Sequence, residues 1–333
     1  MAAVGSVFAG SRQEFLKLID RPRVPLAPMS ERVPESDGLQ RENFSFAAEA
    51  GERVPGIVIR QNGEGRRPVV VVLHGTGGNK EGEIPLLRTL AGKGFVAVAI
   101  DGRWHGARSE AGKGSADYSG AILRAYRTGQ GHPFLYDTVW DILRLIDYLE
   151  TRPDVDAQRI GLIGFSKGGM ETYLAAAVDP RIAVAVPCIG VQSFSWALDH
   201  DAWQSRVGTF QTAMNAAAKD SSAQVDAQFV RSFYDRVAPG IYSQFDGPAM
   251  LPLIAPRPLL SINGDSDART PIPGLMECVR AAQKAYAAAG VQDRFVLKIQ
   301  KSTGHQVRPD ALDQAVDWLV RWLQPPVVKK IGE

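Results

Sequence analysis

The sequence predicts an α/β fold, a mostly parallel central sheet with helices on both faces and a helical cap insertion over one end. Three observations carry that reading. Apolar runs of strand length alternate along the chain with segments of helical spacing. Residues 69–73 form an unbroken apolar run, the pattern of a central strand buried on both sides. One long stretch, 191–256, interrupts the alternation and shows no strand pattern at all.

Taken in order, residues 54–60 read as an early strand and 69–73 as the central one. Helical spacing follows over 84–93, with Gly94 at its end, and 95–100 is the next strand, closing at Asp101-Gly102. Over 136–150, Val139, Ile142, Leu143, Ile146 and Leu149 line one helix face, and Pro153 stops it. A strand over 159–163 and a helix over 170–178 flank a glycine-rich turn. Further strands are expected at 183–189, 258–263 and 295–299, and Pro309 suits the first turn of a closing helix to 323. Within 191–256, Val207, Phe210 and Met214, then Val225, Phe229, Phe233 and Val237, recur at helical spacing. A structureless loop of that length does not fit a compact domain. The segment is therefore expected to cap the sheet end, the alternative being that its helices pad the core. The expected division is an N-terminal extension (1–50, with a helix over 12–19), a core (51–190 and 257–325) and the cap (191–256).

At 333 residues the chain can bury a sizeable core. A net charge of +2, with no basic cluster interleaved with aromatics, argues against nucleic acid as a partner. No apolar run reaches the length of a membrane span, and the start lacks the basic and long apolar regions of a secretory signal. Cys188 and Cys278 read as two buried thiols, which favours a cytoplasmic protein. No histidines sit at metal-ligand spacing, so neither metal nor cofactor is expected. A homo-oligomer is left open.

The chemistry gathers around Gly164-Phe165-Ser166-Lys167-Gly168-Gly169. A serine between glycines at a strand-to-helix junction is thrust outward on a sharp turn, at the positive end of the following helix. A serine hydroxyl is a weak nucleophile and needs a base, which itself needs orienting. Among five histidines, His305 lies between the last strand and the final helix, where catalytic groups of a parallel sheet converge. Asp265 and Asp267 follow the 258–263 strand, and a carboxylate there could accept the imidazole Nδ1–H. The order serine, aspartate, histidine is that of the nucleophile-elbow hydrolases. The loop His74-Gly75-Thr76-Gly77-Gly78-Asn79 after the central strand offers backbone donors, and Thr76 and Lys167 N–H are the expected oxyanion hole. Neither the Walker spacing nor the dinucleotide fingerprint is present.

From about residue 54 to 323 the chain resembles the α/β-hydrolase superfamily. The segments His74-Gly75-Thr76-Gly77-Gly78-Asn79-Lys80, Asp101-Gly102-Arg103-Trp104-His105-Gly106 and Gly164-Phe165-Ser166-Lys167-Gly168-Gly169 resemble its dienelactone hydrolase and acetyl xylan esterase-like branch. That resemblance implies Asp267, three residues after Gly264 and four before Pro271, as the acid. Dienelactone hydrolases carry a cysteine where Ser166 stands, so the resemblance implies a serine esterase acting on a small-molecule ester. A thioesterase, lactonase or peptidase with the same triad is the alternative, as is a ligand-binding protein without turnover. For substrate contacts the expected residues are His74 and Gly75 in the oxyanion loop, Arg103 and His105 after the 95–100 strand, and Trp196 and Trp203 at the start of the cap. Arg103 could instead pair with Asp101, and the tryptophans could form a small core of their own. The Lys167 side chain is expected either to meet an anionic substrate or to reach solvent.

Overall fold

The structure is a computed structural model that describes residues 2–36, 38–111 and 114–325, with side chains from residue 11 onward. After helix α1 (Ala2–Ile19), strands β1 (Met29–Val33), β2 (Leu39–Glu49) and β3 (Glu52–Gln61) form an antiparallel meander. The chain then alternates: β4 (Arg67–Leu73), α2 (Ile84–Gly92), β5 (Val96–Ile100), α3 (Ala116–Thr128), α4 (Tyr136–Glu150), β6 (Val155–Phe165), α5 (Lys167–Val178) and β7 (Ile182–Cys188). Helices α6 (Phe194–Asp199), α7 (Gln204–Val207), α8 (Gln211–Asp220), α9 (Ala227–Val237) and α10 (Gly247–Met250) occupy the stretch before β8 (Leu259–Gly264). Helix α11 (Ile272–Ala288), β9 (Phe295–Gln300) and α12 (Pro309–Leu323) complete the fold. Among the described residues no helix is long and apolar enough to cross a membrane.

The strands form one sheet in the order β1-β2-β3-β5-β4-β6-β7-β8-β9. From β5 to β9 every pairing is parallel, while β3 joins β5 antiparallel. Strands β5 and β6 lie on opposite sides of β4, so the chain reverses its direction of travel across the sheet there. Such a switch opens a crevice beyond the carboxyl ends of the strands. The period-2 geometry of a strand splits β4 between two cores: Val69, Val71 and Leu73 face one, Val70 and Val72 the other. Helices α2 and α12 cover the second face through Leu86, Leu87, Leu90, Ala315, Leu319 and Leu323.

The N-terminal segment is more than an extension. Strand β2 was not anticipated, because most of its outward residues are polar and only Phe44, Phe46 and Ala48 alternate inward. The two phenyl rings stack on Tyr148 of α4 with centroids 5.0 and 5.7 Å away, and Trp140 Nε1 donates to the Ala48 carbonyl at 3.1 Å. The helices between β7 and β8 share the first core: Phe194, Val207, Phe210, Met214, Phe229 and Phe233 are buried in it. Phe134, just before α4, links the two parts, with ring centroids 5.0 Å from Phe210 and 6.3 Å from Phe194. Phe194 is thus a core residue.

Candidate active site

Between β6 and α5 the backbone turns through Ser166 at φ 54° and ψ −110°, a strained conformation for a residue with a Cβ. Two flanking glycines are sterically required. A Cβ on Gly164 would lie 2.2 Å from the Gly168 carbonyl oxygen, and one on Gly168 would lie 2.2 Å from that of Leu73. The turn is held from β7, since the Ser166 N–H donates to the Cys188 carbonyl at 2.9 Å. The serine side chain therefore stands at the carboxyl end of the sheet.

Two loops from the same edge bring the other groups to it. His305, between β9 and α12, places Nε2 2.7 Å from Ser166 Oγ and Nδ1 2.8 Å from Asp267 Oδ2. With the Asp267 carboxylate as acceptor, Nδ1 carries the proton and Nε2 accepts from the serine hydroxyl. The Asp267 side chain is fully buried. Burial pushes its pKa up, but hydrogen bonds from His305 and Thr270 hold the carboxyl below its usual range. The Arg269 N–H donates to its other oxygen at 2.8 Å. Asp265 does something different. It is exposed and accepts the N–H groups of Ser302 at 3.0 Å and Thr303 at 3.1 Å, fastening the histidine loop rather than the imidazole.

On the far side of the serine, a Cβ on Gly75 would lie 3.5 Å from Ser166 Cβ, so the His74 loop abuts the nucleophile. Among the described residues the Thr76 N–H donates to nothing, and Lys167 opens α5, where first-turn N–H groups have no partner within the helix. His74 is buried and saturated: Nδ1 pairs with the Gly75 carbonyl at 2.8 Å, and Nε2 accepts the Gly102 N–H at 3.0 Å. Burial, reinforced by the Lys167 charge, lowers its pKa to about 4 and keeps the ring neutral. It shapes the loop and has no free nitrogen for a substrate.

Four expectations are corrected here. The Lys167 ammonium reaches neither substrate nor solvent. It is buried beneath the elbow, paired with Glu171 one turn along α5 and 5.6 Å from the Tyr118 ring centroid. Arg103 is also buried and engaged by carboxylates, with a two-toothed bond to Asp141 at 3.0 and 2.9 Å and an ion pair to Glu49. Its partner is not Asp101, which instead binds the Lys80 ammonium at 2.7 Å and the N–H groups of Lys80 and Ala107. His105 is wholly buried between His74 and Tyr118, with ring centroids 5.1 and 4.8 Å away, and burial lowers its pKa to about 2. Trp196 and Trp203 are half-buried. Trp196 stacks on His200 at 4.6 Å and lies over Gly274 of α11, where a Cβ would meet its ring at 3.0 Å, while Trp203 packs against the first core and its Nε1 donates to Asp201 at 3.1 Å. Thr270 and Arg269 on Asp267, and Asp265 on the histidine loop, were not anticipated. The Asp-x-x-Thr spacing from Asp267 to Thr270 was the available signal.

A serine, a correctly oriented imidazole, a buried carboxylate and free N–H groups at one sheet edge form a group-transfer site. The family described as "Glucuronyl esterase, fungi" matches residues 56–290. The chain belongs to the glucuronyl esterase family. It is a serine-type carboxylic ester hydrolase of the α/β-hydrolase superfamily. YtaP of Bacillus subtilis (strain 168), named only as a hydrolase, is 27% identical over 335 residues, 94% of this chain and 98% of that one. The 4-O-methyl-glucuronoyl methylesterase 1 of Phanerochaete chrysosporium is 25% identical over 201 residues. That match spans 60% of this chain and 41% of the fungal protein, so the family likeness covers less than half of that longer relative. In fold, the chain is similar to an acetyl xylan esterase from Paenibacillus sp. R4, with a TM-score of 0.64 at 18% identity over 95% of this chain and 93% of that one.

Proposed function

We propose that this chain cleaves esters of sugar acids, methyl glucuronate esters among them, with Ser166 as nucleophile, His305 as general base and acid, and Asp267 as its orienting carboxylate. The observation that carries the residue roles is the imidazole bridging Ser166 Oγ and Asp267 Oδ2 at 2.7 and 2.8 Å. Support for the sugar-acid substrate comes from the name of the fungal relatives. Ser166 Oγ bonds the ester carbonyl carbon while its proton passes to His305 Nε2. The Thr76 and Lys167 N–H groups take the oxyanion, and collapse expels the alcohol with the proton from His305. Water, deprotonated by His305, then releases the acid and restores Ser166. Asp267 stays ionised throughout and stabilises the imidazolium.

The test is turnover of methyl glucuronate and p-nitrophenyl acetate, with labelling by a fluorophosphonate. Ser166→Ala is expected to abolish labelling and lower kcat by about 10⁴-fold or more on both esters, with unchanged thermal unfolding. Full activity in that variant overturns the residue roles. Turnover of the acetate by the natural chain, with none of methyl glucuronate, overturns the substrate class alone.

A further inference from the structure

The buried imidazole of His74 is bonded to backbone through both nitrogens, and one of these bonds fixes its tautomer. The Gly102 N–H can only donate, so Nε2, 3.0 Å from it, is the unprotonated nitrogen. The proton of the neutral ring therefore sits on Nδ1, which donates it to the Gly75 carbonyl at 2.8 Å. The ring is also boxed in. A Cβ on Gly102 would lie 3.6 Å from Nε2, one on Gly78 would lie 3.4 Å from Nδ1, and the His105 ring centroid is 5.1 Å away.

The carbonyl it holds has a partner in the chemistry. Gly75 C=O and Thr76 N–H belong to one peptide plane, and a trans plane points the two in opposite directions. The carbonyl accepts twice, from His74 Nδ1–H and from the Gly78 N–H at 3.0 Å, across a turn that Gly77 closes at φ 79°. At the other edge of the same plane the Thr76 N–H has no backbone partner among the described residues. The plane stands next to the nucleophile, since a Cβ on Gly75 would lie 3.5 Å from Ser166 Cβ.

We propose that His74 is a positioning residue of the oxyanion hole: by holding the Gly75 carbonyl, it aims the Thr76 N–H of the same peptide at the ester oxygen. The inference rests on the triad reading above. One hydrogen bond, from Gly78, lets the plane rock about it. A second donor on a ring that is itself anchored to the loop after β5 removes that freedom. The gain falls on the transition state, because an oxyanion donor acts most strongly once charge has developed on the oxygen.

The experiment is hydrolysis of p-nitrophenyl acetate, with inhibition by phenylboronic acid, in the full chain and in His74→Asn, His74→Gln and His74→Phe. An Asn amide N–H takes the place of Nδ1–H, whereas a Gln carbonyl takes that of Nε2, so Asn keeps the bond to Gly75 and Gln only that to Gly102. In Gln and Phe, kcat is expected to fall about 30-fold, short of the about 100-fold that loss of a whole oxyanion donor costs. KM should stay within about twofold and boronate inhibition should weaken in step with kcat. Asn should regain most of the loss. A purely structural role would lower the melting temperature of all three and would not separate Asn from Gln. A Gln variant with natural kcat overturns the proposal, as does an Asn variant as slow as Gln or a loss confined to KM. If the variants do not fold, the natural chain decides. A proton–nitrogen correlation spectrum is expected to show His74 as the neutral Nδ1–H tautomer, and an Nε2–H ring overturns the proposal. The triad reading fails separately, through an active Ser166→Ala.

Discussion

Two layers of ionisable residues lie one beneath the other at the carboxyl edge of this sheet, and they use their side chains in opposite ways. In the upper layer, Ser166, His305 and Asp267 are linked by single hydrogen bonds, with the serine hydroxyl and the imidazole edge open to a reacting ester. The lower layer consists of saturated pairs: Lys80 with Asp101, Lys167 with Glu171, and Arg103 and Arg108 together on Asp141. Ser166 of the upper layer and Lys167 of the lower one are neighbours in a single motif. The difference teaches that membership of a motif does not make a residue a reactant. What matters is whether its polar atoms are already used.

The largest expected effect lies in the upper layer. Asp267→Asn leaves the imidazole without its carboxylate and is expected to lower kcat by about 10⁴-fold with little change in melting temperature. Steady-state kinetics beside calorimetry would check it, and a loss under tenfold would remove Asp267 from the triad. The lower layer should respond in stability instead. Asp141→Ala removes the buried carboxylate shared by Arg103 and Arg108, leaves them only Glu49 and Glu52, and is expected to cost about 3 kcal/mol in denaturant unfolding, while any protein that folds keeps its KM. Lys167→Met sharpens the contrast further, because it removes a side chain and keeps the catalytic N–H. It should destabilise by about 3 kcal/mol, since Glu171 loses its partner, yet leave kcat within about tenfold. A KM rise for anionic esters alone would instead return the Lys167 ammonium to the substrate.

A smaller effect follows from pH. His74 and His105 are buried neutral, with pKa values lowered to about 4 and about 2. Between those values and the usual histidine range the unfolded chain binds more protons than the folded one. Stability should therefore be complete above about pH 6.5 and decline as pH falls from there toward 4. Melting temperature against pH would show it, and His105→Phe should flatten the slope.

Much of the scaffold was legible in the sequence. The helices at 136–150 and 309–323 fall as expected, and the strand positions from 54 onward are right to within a few residues, because apolar periodicity reports burial directly. That Ser166 and His305 meet was legible because both follow strands whose carboxyl ends a parallel sheet gathers on one edge. Strand β1, four-fifths exposed along its length, and β2, half-polar, left no pattern to read. The two carboxylates Asp265 and Asp267 could not be separated by composition or spacing, since each lies in the same turn after β8.

By itself, then, the sequence determined the alternation of elements, the glycine elbow and the order serine, aspartate, histidine, all of which are local or periodic properties. Only the tertiary structure decided which charges meet. It fastened Asp265 to the histidine loop and Asp267 to the imidazole, and turned the Lys167 ammonium under the elbow. Those outcomes depend on contacts between residues far apart in the chain, where desolvation and the few available partners, rather than residue type, set what each group can do.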